Sequence, residues 1–410
     1  MSTGPTFPRV YLEEVPGGIQ PISGVNTSET AFVDYFANGP INEATRVKSY
    51  ADFLWVFEVP DADSGPDVPT GRSEASYAIE QYFLNGGSVA WVVRVTSDHD
   101  PRSPEWTDAE GADAILGRGG ERAGIYALRQ TGFSILCLPA VTYLSRVKLK
   151  LVYDEAMTFC NEEKAFLIVD IPPAIKTAEE MKSWLDTSNP NAIKRDKNGA
   201  VYFPRLIVSD PINQMEPRNV GSSGTMAGVY ARTDAQRGIW KAPAGTDASL
   251  NAVRLVSNPT DSENGVLNPL GINVLRQFPS VGPVSWGART LEGGDDLGSD
   301  WKYIPVRRTA LYVERSISEG IRWTVMEQNN EALWAEVRLN VGAFLHDLFG
   351  KGAFQGKSPK EAYFVKCDSE TTSQNDVGLG VLNIVVGFAP LKPSEFVIIR
   401  IQQLVAHIDP

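Results

Sequence analysis

The chain has 410 residues, is 42% apolar and 21% charged, and carries a formal net charge of −12. That length exceeds what one hydrophobic core usually supports, so two or more domains of an ordinary globular protein are expected. The acidic balance without a Lys/Arg cluster argues against nucleic acid as a partner, and no apolar run approaches the roughly 20 residues of a membrane span.

In chain order, residues 1–20 read as an arm. Val10, Tyr11, Leu12, Glu13, Glu14 and Val15 are β-prone but stand between Pro8 and Pro16-Gly17-Gly18, so they form a strand with no neighbour in sequence. The start lacks a basic segment followed by an apolar one, so no secretory signal is expected. A strand over Thr30–Tyr35 leads to a helix over Ser49–Leu54, and residues 59–72 read as an exposed loop. Helix and strand then alternate. Helices are predicted over Glu74–Leu84, Tyr143–Glu162, Ala178–Leu185 and from Gly224 to Arg232. Strands are predicted over Val89–Val95, Phe133–Leu138, Ala165–Ile171 and Val201–Val208. Buried strands alternating with helices predict a doubly wound α/β domain over 21–250.

The pattern loosens over 244–267, which sets the expected domain boundary. An α+β domain over 251–394 should follow, and then a C-terminal strand arm over 395–410. Its first helix carries the apolar stripe Val306, Ala310, Val313, Ile317 after Ile304-Pro305-Val306-Arg307-Arg308, with Gly320 at its stop. A β-prone run, Trp323 to Met326, comes next. Asn329 or Asn330 then caps a second helix that reaches about Phe349, with Trp334, Val337, Val341, Phe344, Leu345 and Leu348 on one face. Late strands are expected over Ala362–Cys367, Val381–Phe388 and Phe396–Leu404. The opposite face of the second helix carries Ala332, Ala335, Leu339, Ala343 and His346, rimmed by Glu331, Glu336 and Asp347. Small residues edged by acids suit close approach to another surface; the alternative is a helix packed on both sides within its own domain.

Convergent chemistry is scarce. Gly350 to Ser358 follows a helix and puts Lys351 where a phosphate loop needs glycine. Gly221, Gly224 and Gly228 follow a strand and open a helix, the setting for a dinucleotide, but their spacing fits tight helix–sheet packing better. The histidines, His99, His346 and His407, have no Gly-x-Ser-x-Gly elbow to serve. No Cys or His pair has zinc spacing, and Asp61, Asp63 and Asp67 lack the closing Glu of a calcium loop. Glu292-Gly293-Gly294-Asp295-Asp296 reads as a solvated acidic loop. Cys137, Cys160 and Cys367 read as buried reduced thiols made in a cytoplasm. Neither a catalytic residue nor a cofactor is expected, and the scarcity points to a structural or assembly protein.

Several long motifs carry a family likeness. They are Pro8 to Gly18 with Pro21-Ile22, Gly24-Val25 and Thr27-Ser28; Tyr230-Ala231-Arg232-Thr233-Asp234 with Gly238 to Pro243; and Leu267 to Asn273. Trp286 to Thr290, Asn329 to Trp334 and Phe388-Ala389-Pro390 with Pro393 to Ile398 complete the set. With these motifs the chain resembles contractile tail sheath proteins over nearly its whole length. The resemblance implies a subunit that stacks as rings around an inner tube and shortens on a baseplate trigger to drive the tube through a target envelope. It also implies a middle domain of subtilisin-like topology, here without a triad, and a particle assembled in a bacterial cytoplasm. Other copies, the tube protein, and baseplate and cap proteins would be the partners, without nucleic acid or membrane insertion. The compact length fits a minimal sheath of an injection system or bacteriocin, with a small phage left open. A cofactor-binding α/β enzyme centred on Gly221–Gly228 is the competing reading.

The termini supply a mechanism. An exposed strand edge invites pairing with another chain. Each added hydrogen bond contributes roughly 0.5–1.5 kcal/mol, while ordering six residues costs roughly 6–12 kcal/mol. Apolar residues must therefore supply the surplus. Val10, Tyr11, Leu12, Glu13 and Val15, together with Phe396, Val397, Ile398, Ile399, Arg400, Ile401 and Leu404, are the expected inter-subunit strands, with Pro16, Gly17 and Gly18 as hinge. Pairing of both termini within one subunit is the alternative. Glu331, Ala335, Glu336, Leu339, Ala343, His346 and Asp347 are the expected tube-facing residues.

Overall fold

A computed structural model of the chain describes residues 20–58, 73–96, 107–117, 122–210, 214–391 and the backbone of 397–404. The expected strand at 10–15, its hinge at 16–18, the loop at 59–72, His99, His407, Phe396 and the Asp61–Asp67 group lie outside these residues. Two compact units result. Among the described residues the larger draws on 24–315 with 390, 391 and 397; the smaller draws on 20–23, 316–389 and 398–404.

The larger unit opens with β1 (Thr30–Asp34), β2 (Ala44–Val47), α1 (Tyr50–Phe53), α2 (Glu74–Leu84) and β3 (Ala90–Arg94). Next come α3 (Asp108–Leu116), β4 (Ile135–Cys137), α4 (Arg146–Glu162), β5 (Phe166–Val169), α5 (Ala178–Leu185) and β6 (Gly199–Phe203). Then follow β7 (Leu206–Asp210), β8 (Glu216–Val220), α6 (Ser223–Arg237), β9 (Arg254–Leu255) and α7 (Asp261–Leu267). β10 (Asn273–Phe278), β11 (Gly282–Ser285) and α8 (Ile304–Gly320), whose residues from Ser316 on belong to the smaller unit, complete the series. Eight strands form one sheet in the order β11-β10-β6-β5-β4-β1-β3-β2. The six inner strands are parallel and the two edges antiparallel.

Parallel strands covered on both faces must be apolar at successive positions, and these are. Ala31, Val33, Leu167 and Val169 face a core shared with α3, α4 and α5, while Phe32, Phe166 and Ile168 face one shared with α2 and α6. Local signals fix the helix ends. Ser73 accepts from Ser76 N at 3.1 Å to start α2. Thr177 with Glu180 and Thr107 with Glu110 form capping boxes for α5 and α3.

Three expectations change. The run 201–208 is not one strand: Pro204 has no N–H to donate, and β6 and β7 belong to different sheets, the second being β8-β7-β9. The chain does not divide near 250, because β10 pairs with β6 (Asn273↔Tyr202) and extends the main sheet. The compact units instead meet in sequence at 315/316. The β-prone run from Trp323 becomes a 3₁₀ turn over Arg322–Thr324, since β-propensity without a neighbouring strand has nothing to pair with.

The glycines after β8 also have another role. A Cβ on Gly224 would lie 2.0 Å from the Ala78 carbonyl oxygen, and one on Gly228 would lie 2.5 Å from that of Tyr82. These residues let α6 press on the backbone of α2, so the packing is helix on helix. Gly221 lies against the Asp170 carboxylate, where its Cβ would sit 2.3 Å from Oδ1. A carboxylate at that distance is the wrong partner for a pyrophosphate.

In the smaller unit the elements are α9 (Glu331–Gly350), α10 (Pro359–Ala362), β12 (Tyr363–Lys366), α11 (Gln374–Gly378), β13 (Val381–Phe388) and β14 (Val397–Leu404). β12 and β13 are antiparallel, from Tyr363↔Phe388 to Lys366↔Val385. β14 takes the other side of β13 in the order β12-β13-β14.

Candidate assembly surface

Helix α9 is built to present one face. Asn330 caps it, accepting from Leu333 N at 3.1 Å. The neighbouring Asn329 ties the helix start to β13, because it accepts from Trp334 Nε1 at 2.7 Å and donates to Val381 O at 3.0 Å. The stripe Trp334, Val337, Val341, Phe344, Leu345 and Leu348 is buried. At the far end Phe349, Tyr363, Phe354 and Phe388 make successive ring contacts with centroids 5.1–6.5 Å apart.

The opposite face is open. Ala332, Ala335, Ala343, His346, Glu331 and Asp347 are exposed, and Leu339 retains 54% of its surface. The helix is thus not covered on both sides by the chain's described residues. Its rim is less acidic than the composition suggests. Glu331 pairs with Arg338 at 2.7 Å, and Asp347 pairs with Lys351 at 2.6 Å. Half-buried Glu336 keeps the one uncompensated charge among the three rim acids. His346 Nδ1 meets the Tyr363 hydroxyl at 3.2 Å. Arg338 is the residue missed from sequence. It also donates to the Cys367 carbonyl, tying helix to sheet, and its seven-residue distance from Glu331, two helical turns, is the signal that could have found it.

Val397, Ile398, Ile399, Arg400, Ile401 and Leu404 lie in β14, the sheet-edge strand beside β13 of the same chain. The C-terminal strand therefore has an intramolecular place, while the N-terminal set lies outside the described residues.

Inside the larger unit, Ser223 Oγ donates to Asp170 Oδ2 at 2.5 Å and Ser223 N donates to Oδ1 at 2.8 Å. Both residues are buried, and burial raises the Asp170 carboxyl above its usual range. The pair anchors the first turn of α6, where a carboxylate suits the helix dipole. All three cysteines are buried and unpaired. Among the described residues no group of three or more His, Cys, Asp or Glu is placed to hold a metal, and no helix is long and apolar enough to cross a membrane.

A family model described as the phage tail sheath C-terminal domain matches residues 296–403. The chain is 25% identical over 236 residues to a prophage major tail sheath protein of Pseudomonas aeruginosa UCBPP-PA14, covering 53% of this chain and 57% of that one. It spans about half the length of the curated relatives it matches, 57% and 49%. Among solved structures it is similar to the contracted PVC sheath complex of an extracellular contractile injection system. There the identity is 26% and the TM-score 0.71, over 98% of this chain and 99% of that one. The contracted helical sheath of the anti-feeding prophage gives 28% identity and a TM-score of 0.67, over 97% and 99%.

Proposed function

On the premise that the chain belongs to the contractile tail sheath family, we propose that it is the structural protomer of a contractile sheath. It polymerises as stacked rings around an inner tube and shortens to drive that tube through an envelope. The near full-length likeness to subunits of a contracted injection-system sheath carries this reading. Its partners are other copies of itself, the tube protein, and baseplate and cap proteins, and it is made and assembled in a bacterial cytoplasm.

Within that reading the open face of α9 meets the tube. Ala335, Leu339 and Ala343 give a shallow strip without long side chains, and Glu336 supplies the charge that a basic tube surface complements. β14 at 397–404 and the segment 10–15, expected from its sequence to be extended, join copies. β13 offers a pairing edge that β14 fills in the single chain, and a neighbour's strand can take the same edge at little net difference in hydrogen bonds.

The purified chain, mixed with its tube protein and viewed by negative-stain electron microscopy, should form striated sleeves without added ligand. A monodisperse single particle at high concentration refutes the proposal. Deleting residues 1–15 should abolish the sleeves, and normal sleeves from the truncated chain refute the strand-exchange part.

A further inference from the structure

Two adjacent arginines on α8 have opposite fates. Arg308 is 3% exposed and satisfied. Its terminal nitrogens meet the two Asp234 carboxylate oxygens at 3.0 and 2.7 Å, and Nη2 also donates to the Thr27 carbonyl at 2.9 Å. Arg307 is almost as enclosed, at 7% exposed, but has no counter-ion in contact among the described residues. Its Nε donates to Asn198 Oδ1 at 2.5 Å and its guanidinium lies 4.6 Å from the Trp301 ring centroid. Its two terminal nitrogens donate to nothing among the described residues.

Among the described residues no carboxylate comes into contact with Arg307, and of the nearby acids only Glu292 lacks a cation of its own. The carboxylates whose field reaches Arg307 are those of Glu314, Asp196 and Glu292. Glu314 pairs with Lys164 at 2.9 Å, Asp196 pairs with Lys194 at 3.5 Å, and Glu292 accepts from Ser299 Oγ at 3.0 Å. A second cation lies beside it: Lys197 Nζ is 5.8 Å from the same Trp301 ring and contacts no carboxylate among the described residues. Burial accordingly holds the Arg307 guanidinium down at about 10.

A guanidinium already stripped of water and fixed against an aromatic face is preorganised for an anion. The usual penalty of desolvating the cation has been met during folding, so an arriving carboxylate loses only its own hydration and gains charge-assisted hydrogen bonds. The chain itself provides such groups in excess, with 50 Asp and Glu against 38 Lys and Arg.

We propose that Arg307, Lys197 and Trp301 form a receptor for an acidic side chain of a second copy of this chain. The inference rests on the sheath reading and deepens it: one contact of the copy-to-copy interface is an ion pair whose basic half is prebuilt in the free subunit.

The test compares wild type with Arg307→Met and Lys197→Met, measuring thermal unfolding of the soluble subunit and the critical concentration for sleeve formation by sedimentation at 50 and 500 mM NaCl. Arg307→Met should leave the melting temperature unchanged or higher. It should raise the critical concentration about tenfold or more at low salt, the equivalent of one lost charge-assisted contact, and flatten the salt dependence. Lys197→Met, at a half-exposed position, should shift assembly the same way by a smaller factor and carries the test should Arg307→Met fail to fold. Unchanged assembly of either folded variant overturns the inference while leaving the sheath reading intact. A rise in melting temperature with inorganic phosphate at constant ionic strength, lost in Arg307→Met with assembly unaffected, also overturns it, because the pocket is then an anion site. Failure of wild type to form sleeves removes both readings together.

Discussion

The Arg308–Asp234 pair sets the sharpest energetic expectation. The two side chains are 3% and 5% exposed and meet at 2.7 Å, and the guanidinium also covers the Tyr230 ring at 4.7 Å. Asp234→Asn keeps the shape and removes the charge, leaving a buried guanidinium with a carbonyl and a ring for company. Breaking a buried pair from one side costs about 3–5 kcal/mol. The surviving bond to Thr27 places this site near the lower end, about 3 kcal/mol. For a chain of 410 residues that corresponds to a fall in Tm of about 3–5 °C. By contrast the Arg237–Asp247 pair, 60% and 73% exposed at 3.4 Å, should change stability by less than about 1 kcal/mol when cut. Urea unfolding of the soluble subunit, followed by tryptophan fluorescence, reads both. The double variant Asp234→Leu/Arg308→Met supplies the control, because replacing a whole buried pair by apolar groups is often neutral. A loss below about 1 kcal/mol for Asp234→Asn, or a double variant as damaged as the single one, would show that the charge is solvated and the reasoning wrong.

Three further outcomes are expected. Asp34 is buried, and burial raises its carboxyl from 3.8 to about 7 despite hydrogen bonds from Tyr35 N and Ala75 N, both at 2.7 Å. Between those values the folded state holds a proton that the unfolded chain has lost. Stability from this group is therefore greatest below pH 3.8, falls as pH rises to about 7 and is flat above, a change on the order of 4 kcal/mol. Asp34→Asn should flatten the difference between urea midpoints at pH 5 and pH 8. Gly224→Ala forces a methyl against the Ala78 carbonyl and should destabilise the subunit by about 1–3 kcal/mol or more, whereas Gly342→Ala, which meets no atom within 4 Å, should not. Asn340 is fully buried with both amide atoms unpartnered among the described residues, so Asn340→Leu should raise the urea midpoint, by about 1–3 kcal/mol in stability; an unchanged or lower midpoint contradicts the assignment.

Local chemistry made part of the fold readable. The limits of α2 and α5 coincide with their expected ranges because a cap residue and a stop sit beside each apolar run, Ser73 with Gly86-Gly87 being one example. The inner strands were legible because a strand covered on both faces admits few polar residues. What stayed hidden depends on distant partners. β10 joins the main sheet by pairing with a strand about 70 residues earlier, so the loosened pattern over 244–267 reads as a boundary although β9 and α7 within it belong to the same unit. The glycines at 224 and 228 sit one helical turn apart and announce a close approach, but nothing local says that the element approached is α2. On α9 the open face was visible in its small residues. The neutralised rim was not, since Arg338 and Lys351 reach their acids through rotamer choices that spacing alone leaves free.

The meeting of α2 and α6 has a mechanical consequence. Where glycines bring main chain against main chain there is no cushion of side chains to squeeze or slide. A push on one helix therefore reaches the other with little give at the contact. Within the larger unit this seam works like dry masonry: α2 and α6 shift together or not at all, and any give has to open at a softer joint.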